Sequence, residues 1–195
     1  MDKAFEIATI KANEVIERLH YSDDGLVSTK QIVEIVSDIL EQENPTEIEC
    51  LFVSFSSAGV SDDYGAMMSV LQSDGNSKQQ ATIIVNSDKD AKFQRFSLIH
   101  ELGHLITNCY TAVDEKNHYT ISAHIKYNIT SISAEECKND EKLKNEQIAN
   151  IFALKVLMPF NAFMKKVFVS DDLQSIADFF GVTKDAVRSR ILLGD

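Results

Sequence analysis

Residues 95–106 read RFSLIHELGHLI and contain an HExxH pattern, with two histidines four positions apart. On an α-helix, His100 and His104 lie about one turn apart on the same side, so that both imidazoles can reach one metal ion. Glu101 lies about 100° further around the helix, outside the ligand set but within reach of a water molecule at the metal. A carboxylate there can accept a proton from that water and pass it to a leaving amine. The stretch therefore predicts a metal-dependent hydrolytic site, with Glu101 as its base.

The remaining positions of this helix predict how it packs. Gly103 flanks the side that carries the histidines, where a glycine costs about 1 kcal/mol of helix propensity relative to alanine. We expect a neighbouring element to approach closely at this position. The apolar residues fall on the opposite side and give the helix an apolar back: they are Leu98, Leu102, Leu105, Ile106 and Cys109.

A catalytic zinc site needs a third protein ligand and one open position. The segment NEQIANIFALKVLMP, residues 145–159, supplies Glu146, with Asn150 four residues later on the same helical face. Glu146 can complete a site of two histidines and one glutamate, and Asn150 can orient a ligand histidine through its second ring nitrogen. Most of this helix is apolar, so a carboxylate on it needs a partner such as a metal. Three other glutamates remain alternatives at this point: Glu135, Glu136 and Glu141.

Hydrophobic periodicity places these motifs in a chain of mixed secondary structure, of class α+β. The strand predicted at 81–85 is either a plain core strand or one that pairs with an extended substrate. Helices are predicted over 2–20, 29–42, 91–108, a stretch from 133 to 158 that is broken near 139 and ended by Pro159, and two short segments within 173–193. Strands are predicted over 48–55, 66–71, 81–85 and near 118–125, the second and third as a hairpin.

Three segments are predicted along the chain. Residues 1–26 form an N-terminal helix, residues 27–160 form the HExxH region, and residues 161–195 form a helical C-terminal unit packed on the same domain. The C-terminal unit has the spacing of a helix-turn-helix, with a small residue, a turn glycine and a buried aliphatic at Ala177, Gly181 and Val187.

Composition limits the compartment and the partners. The 195 residues carry a formal net charge of −11, which disfavours phosphate backbones and anionic membranes. The cysteines are odd in number and form no CxxC pair, as is usual in a reducing compartment. No stretch approaches the roughly 20 apolar residues that span a bilayer, and the N-terminus does not have the pattern of a signal peptide. We therefore expect a soluble, cytoplasmic protein.

Three stretches together resemble the ImmA/IrrE family of bacterial and phage metallopeptidases. They are RFSLIHELGHLI at 95–106, the pattern ExxANxFAxxxLMP at 146–159 and LQSIADFFGVTKDAVRSRI at 173–191. The resemblance implies a small gluzincin-like domain, in which a short, mostly antiparallel sheet packs against the HExxH helix and a second ligand-bearing helix. It also implies that His100, His104 and Glu146 are the metal ligands and that Glu101 is the catalytic base.

One residue departs from the family pattern. Ile148 stands where family members often have a second acidic residue, so Glu146 is the only carboxylate in this part of the motif. Members of the family cleave helix-turn-helix transcriptional repressors and so relieve repression of mobile-element or stress genes, and the resemblance implies such a substrate here. A ligand set of two histidines and a glutamate suits zinc, although it also accepts manganese.

The sequence thus predicts a zinc-dependent endopeptidase that acts on a protein, with two alternatives. One is an antirepressor or toxin–antitoxin partner that acts by association and keeps the metal as structure, which the intact Glu101 disfavours. The other is a DNA-binding regulator, which is disfavoured because residues 171–195 carry three basic and five acidic side chains. No spacing selects the oxyanion-stabilising group among the candidates between the motifs: Tyr110, His118, Tyr119, His124 and Tyr127.

Overall fold

The computed structural model describes residues 3–19, 26–43, 48–56, 65–72, 79–107, 118–122, 140–170 and 172–194. The helices in these residues are α1 (Lys3–Arg18), α2 (Thr29–Glu43), α3 (Ala91–Thr107), α4 (Asp140–Leu157), α5 (Phe160–Val169), α6 (Leu173–Phe180) and α7 (Lys184–Leu193). The strands are β1 (Ile48–Phe55), β2 (Ala66–Gln72), β3 (Gln79–Val85) and β4 (His118–Ser122). The predicted α+β class is confirmed, and most predicted elements begin and end within a few residues of the observed ones.

The helix α5 is the element that the sequence analysis does not predict. Pro159 ends α4, because proline has no N–H to continue the helical hydrogen bonds. Its fixed φ, −59° here, also suits the start of a helix, and Pro159 is the N-cap of α5. In the described part of the chain no single helix is long and apolar enough to cross a membrane, and α4 with α5 reaches that length only as a pair bent by 65°.

The four strands form one sheet in the order β1-β3-β2-β4. β3 pairs with β1 in parallel and with β2 antiparallel, and β2 pairs antiparallel with β4. β2 and β3 are therefore antiparallel neighbours, as the predicted hairpin requires. The alternative in which 81–85 pairs with an extended substrate is wrong, because both edges of β3 are already hydrogen-bonded to β1 and β2.

One face of this sheet supports the HExxH helix. Along β3 the alternate residues Ala81, Ile83 and Val85 are completely buried, as the period of two along a strand requires. They belong to the same hydrophobic cluster as Leu98 and Leu102 of α3. The sheet thus packs against the apolar back of α3, and the side with the histidines faces the helices of the second half of the chain.

The C-terminal helices α6 and α7 are fixed by capping and packing. Asp172 accepts hydrogen bonds from the first turn of α6, and Thr183 accepts one from Ala186 at the start of α7. Between the helices, Gly181 takes the left-handed conformation with φ 61°, which a glycine adopts without strain. Phe180 of α6 is buried in the cluster that also contains the β3 residues, so this helix pair packs on the main core.

Candidate metal centre

The second half of α3 is buried on all sides. Every residue from Phe96 to Thr107 is buried, including the two histidines of the motif. A Cβ atom placed on Gly103 would lie 3.1 Å from the Cα atom of Ala149 and 3.0 Å from a ring carbon of Phe152. The close approach expected at Gly103 is therefore confirmed. The neighbouring element is α4, which covers the front of α3 that carries the histidines.

Three side chains converge where α3 and α4 meet. The Nε2 atoms of His100 and His104 lie 3.1 Å apart. Glu146 of α4 places Oε2 3.3 Å from the Nε2 of His100 and Oε1 3.6 Å from the Nε2 of His104. One potential ligand atom from each residue lies within 4.8 Å of the other two. The i and i+4 spacing on α3 and one residue of α4 are thus enough to form a three-ligand cluster.

Asn150 fixes the orientation of one of these imidazoles. Its Oδ1 atom lies 3.0 Å from the Nδ1 of His100, and both residues are buried. An amide oxygen can only accept, so Nδ1–H of His100 donates this hydrogen bond. The neutral ring then carries its lone pair on Nε2, which points toward His104 and Glu146. The second ring nitrogen of His100 is therefore held in the way the sequence analysis expected of Asn150.

Glu101 is completely buried beside this cluster. Among the described residues neither of its carboxylate oxygens has a hydrogen-bond partner. Burial raises the pKa of Glu101 to about 8, partly offset by the neighbouring charge of His104. A buried carboxyl group that the fold leaves without a partner costs stability, and such groups are retained where chemistry uses them.

The electrostatics of the three converging residues favour a cation. Burial lowers the pKa of His100, so its imidazole stays neutral and can ligate a metal. Burial by itself raises the pKa of Glu146, but the imidazoles of His100 and His104 facing its oxygens lower it by more. The carboxylate therefore stays ionised, with its pKa below the ordinary range. The neutral imidazole of His100 and the anionic carboxylate of Glu146 are the forms in which these residues ligate zinc.

The spacing of the ligand atoms also fits a metal ion. Two atoms at tetrahedral angles around zinc lie roughly 3.3 Å apart, since each is about 2.1 Å from the ion. The separations between His100, His104 and Glu146 lie close to that value. The Oε2 atom of Glu146 is buried without a hydrogen bond within the described residues, and a cation at the centre of the cluster would satisfy it.

The structure brings together the residues singled out from the sequence, and one property of the site was not anticipated. The sequence analysis describes an apolar back and a polar front of α3, yet the front is buried as completely as the back. Of the alternatives to Glu146, Glu141 lies in the first turn of α4, while Glu135 and Glu136 lie outside the described residues. Cys109 and the oxyanion candidates Tyr110, His124 and Tyr127 lie outside them as well, and His118 and Tyr119 lie in β4.

A comparison with protein-family models gives a match that covers this site. The model of the IrrE N-terminal-like domain, a peptidase family, matches residues 60–192. The chain belongs to this family. The resemblance to ImmA/IrrE metallopeptidases is thereby confirmed, over a region that contains α3, α4 and the C-terminal helices. No curated protein matches the chain.

Membership of the ImmA/IrrE family agrees with the arrangement described above. The match includes the HExxH helix and the helix with Glu146, and these two elements bring together the three residues that could hold a metal ion. The small sheet beside the HExxH helix, with the third ligand on a later helix, is a gluzincin-like arrangement. The helices α1 and α2 and the strand β1 precede the matched region.

Proposed function

We propose that this ImmA/IrrE family member is a zinc-dependent endopeptidase that hydrolyses a peptide bond of a protein substrate. The observation that carries the proposal is the convergence of His100, His104 and Glu146 next to the buried carboxyl group of Glu101, which has no hydrogen bond to any of the described residues. A metal that serves only as structure does not need a further, unligated carboxylate beside it. A hydrolytic metal site needs such a group as its base.

His100, His104 and Glu146 would hold the ion and leave one position for water and substrate. When bound, zinc polarises the scissile carbonyl, lowers the pKa of a neighbouring water toward about 7 and favours the ionised form of Glu101. The carboxylate of Glu101 accepts a proton from the attacking water as the oxygen–carbon bond forms. It then donates that proton to the amide nitrogen as the carbon–nitrogen bond breaks. Asn150 keeps the His100 ring in one tautomer throughout.

The substrate we propose is a helix-turn-helix transcriptional repressor, so that cleavage relieves repression of mobile-element or stress genes. This is the substrate class that the family resemblance implies. The odd number of cysteines and the absence of a CxxC pair support a cytoplasmic setting, where such a repressor would be met.

We do not propose DNA binding by the helix-turn-helix-like pair α6 and α7. Arg190 of α7 is 1% exposed, and its Nε donates to the backbone oxygen of Met158 at 2.9 Å. Arg188 is exposed but forms an ion pair with Asp185 at 2.5 Å. Neither arginine of α7 is therefore available as an unpaired cation for a phosphate, and this supports a protein rather than a nucleic acid as the partner.

The test is incubation of the purified, zinc-loaded chain with the repressor encoded beside its gene. We expect specific cleavage that stops when a chelator removes the metal and recovers when zinc is restored. Glu101→Gln is the matched control, because the amide has the same shape but cannot accept the proton. This variant should keep the metal and lose cleavage by several orders of magnitude.

Two results would contradict the proposal. Cleavage by Glu101→Gln at the wild-type rate would exclude the acid–base role of Glu101. Relief of repression by Glu101→Gln that equals relief by the wild type, without any cleavage of the repressor, would favour action by association.

A further inference from the structure

The contact between α3 and α4 is polar at the metal centre. Two buried histidines of α3 meet Glu146 and Asn150 of α4 there, and Glu101 is buried among them. These groups lose hydration when the helices come together, which costs free energy unless a partner replaces the water. Burial of apolar surface, which drives most helix packing, is therefore scarce in this part of the contact. We ask what holds α4 in place from its other side.

The side of α4 opposite the metal centre carries a separate apolar cluster. With a step of 100° per residue, Ile148 and Ile151 point away from the face that carries Glu146 and Asn150. The two isoleucines are 4% and 6% exposed and pack with Ala8 of α1, which is completely buried. Two further side chains pack on this cluster, namely Phe5 of α1 and Leu193 of α7. We call these five residues, Phe5, Ala8, Ile148, Ile151 and Leu193, the outer clamp.

A buried lysine extends the outer clamp along α4. Lys155 lies on the same face as the two isoleucines, one turn beyond Ile151, and is 5% exposed. Its ammonium group lies 5.5 Å from the centre of the Phe5 ring, within the range of a cation–π contact. The first helix of the chain thus contacts α4 along more than one turn.

The outer clamp joins three helices that are distant in sequence. Phe5 and Ala8 come from α1, which lies before the region matched by the family model, and Leu193 lies one residue after it. The three residues that pack on the outer face of α4 therefore lie outside the family match, while α4 itself lies within it.

We propose that the outer clamp is a positioning device for the metal centre. Apolar contacts of α1 and α7 hold α4 against α3, so that Glu146 stays within reach of both histidines although the contact between α3 and α4 is polar at the metal centre. Phe5, Ala8 and Leu193 touch neither metal nor substrate and act through the position of α4. The inference rests on the metal centre proposed above.

The test compares Leu193→Ala with Leu192→Ala. Leu193 packs on the cluster, whereas the adjacent Leu192 is 64% exposed, so the same truncation is made on and off the clamp. The measurement is zinc affinity, by competition with a chelator, together with the visible absorption of the cobalt-loaded protein. We expect Leu193→Ala to weaken zinc binding about 10-fold, as the loss of a group that orients a ligand does, and to shift the cobalt bands. Leu192→Ala and the conservative Leu193→Met should match the wild type.

A second variant tests the α1 side of the outer clamp. Ala8→Leu puts a larger side chain where Ala8 meets α4 and should weaken zinc binding in the same direction. Asn13→Leu, on an exposed position of the same helix, is its control. Circular dichroism at the titration temperature establishes that each variant is folded, and if Ala8→Leu does not fold, Leu193→Ala decides.

The outcomes separate the positioning role from the metal centre itself. Wild-type zinc affinity and unshifted cobalt bands in folded Leu193→Ala would overturn the outer clamp and leave the metal centre intact. Failure of the wild-type chain to bind zinc or cobalt at all would overturn both. An equal loss of affinity in Leu192→Ala and Leu193→Ala would also overturn the clamp, because the effect would not depend on the cluster.

Discussion

Arg190 in α7 and Glu101 in α3 are both charged residues that the fold removes from water, with 1% and 0% of their surfaces exposed. The guanidinium of Arg190 donates hydrogen bonds to the backbone oxygens of Met158 and Gly194 and lies 5.2 Å from the centre of the Phe163 ring. The carboxylate of Glu101 has no hydrogen-bond partner among the described residues.

The two environments distinguish a charge that stabilises the fold, on Arg190, from one that we propose takes part in chemistry, on Glu101. The donors of Arg190 join the end of α4 to the end of α7, so the cost of burying the charge is offset by hydrogen bonds and packing. Among the described residues no hydrogen bond offsets the burial of Glu101, and the neighbouring charge of His104 offsets it only in part. The C-terminal helix pair is therefore stabilised by its buried charge, whereas the contact between α3 and α4 buries a carboxyl group at a cost in stability, as the base proposed above requires. Five experiments test this difference between the two regions.

Loss of a metal ligand should have the largest effect. The wild-type chain should bind one divalent ion, and His104→Ala or Glu146→Ala should abolish stoichiometric binding, because two protein ligands seldom hold zinc tightly. Elemental analysis of dialysed protein measures this, with Glu141→Ala in the first turn of α4 as the control. Full occupancy in His104→Ala, or a loss at Glu141 with none at Glu146, would show that the ligand set is wrong.

The pH dependence of the unfolding free energy should reveal the buried carboxyl group of Glu101. In the metal-free chain the pKa of Glu101 is raised from 4.5 to about 8, so the folded state retains a proton that the unfolded state releases. The stability contributed by this proton is fully present below pH 4.5 and is lost as the pH rises through about 8. The unfolding free energy of Glu101→Gln minus that of the wild type should grow over this interval, by an amount of the order of several kcal/mol. A difference independent of pH would mean that Glu101 has a partner in solution.

Removal of the Arg190 side chain should lower the unfolding free energy without changing metal binding. Arg190→Ala removes the guanidinium that donates to the backbone oxygens of Met158 and Gly194 and that lies over the ring of Phe163. We expect a loss of roughly 2–4 kcal/mol in unfolding free energy by urea titration. Zinc affinity of the folded variant should stay at the wild-type value. A loss of zinc binding with normal stability would remove the distinction between the two regions.

Removal of the amide that orients His100 should have an intermediate effect on metal binding. Asn150→Ala deletes the acceptor of the hydrogen bond from Nδ1–H and frees the ring to rotate or change tautomer. Zinc affinity should fall about 10- to 100-fold, as is usual for groups that orient a ligand. Asn150→Asp keeps an acceptor oxygen and should retain most of the affinity, and a fall as large as that of Asn150→Ala would contradict the orienting role.

The smallest effect is expected at a cap of the C-terminal pair. Thr183 accepts a hydrogen bond from the backbone N–H of Ala186 at 3.2 Å. Thr183→Ala should cost about 1 kcal/mol of unfolding free energy, while Thr183→Ser should cost less. Neither variant should change zinc affinity. A loss of zinc affinity in folded Thr183→Ala would show that this cap contributes to the metal centre as well as to stability.

Local spacing was enough to predict which polar residues share a face within each of the two helices, because these pairs follow from short sequence intervals. The four-residue step from His100 to His104 and the equal step from Glu146 to Asn150 place each pair on one helical face, whatever the rest of the fold does. The choice of Glu146 as the third ligand needed more than spacing, because spacing left Glu141 and two other glutamates as alternatives. The family pattern selected Glu146 among them.

Contacts between distant parts of the chain could not be predicted in this way. The insertion of β3 between β1 and β2 depends on pairing between strands, which no local pattern encodes, and it makes 81–85 a central strand. The burial of the front of α3 depends in the same way on α4, which follows some forty residues later in the sequence. The start of α5 was missed for a local reason, because Pro159 serves both as the end of one helix and as the cap of the next.

The outer clamp also has a consequence for the order in which the protein is completed during synthesis. The helix with both histidines leaves the ribosome well before Leu193, which packs behind α4. Contacts between α1, α4 and α7 are distant in sequence and form late, because the intervening chain must first be ordered. The centre then reaches its final geometry only after α7 has been synthesised. Until that point the nascent chain carries the HExxH motif without the packing proposed to position Glu146.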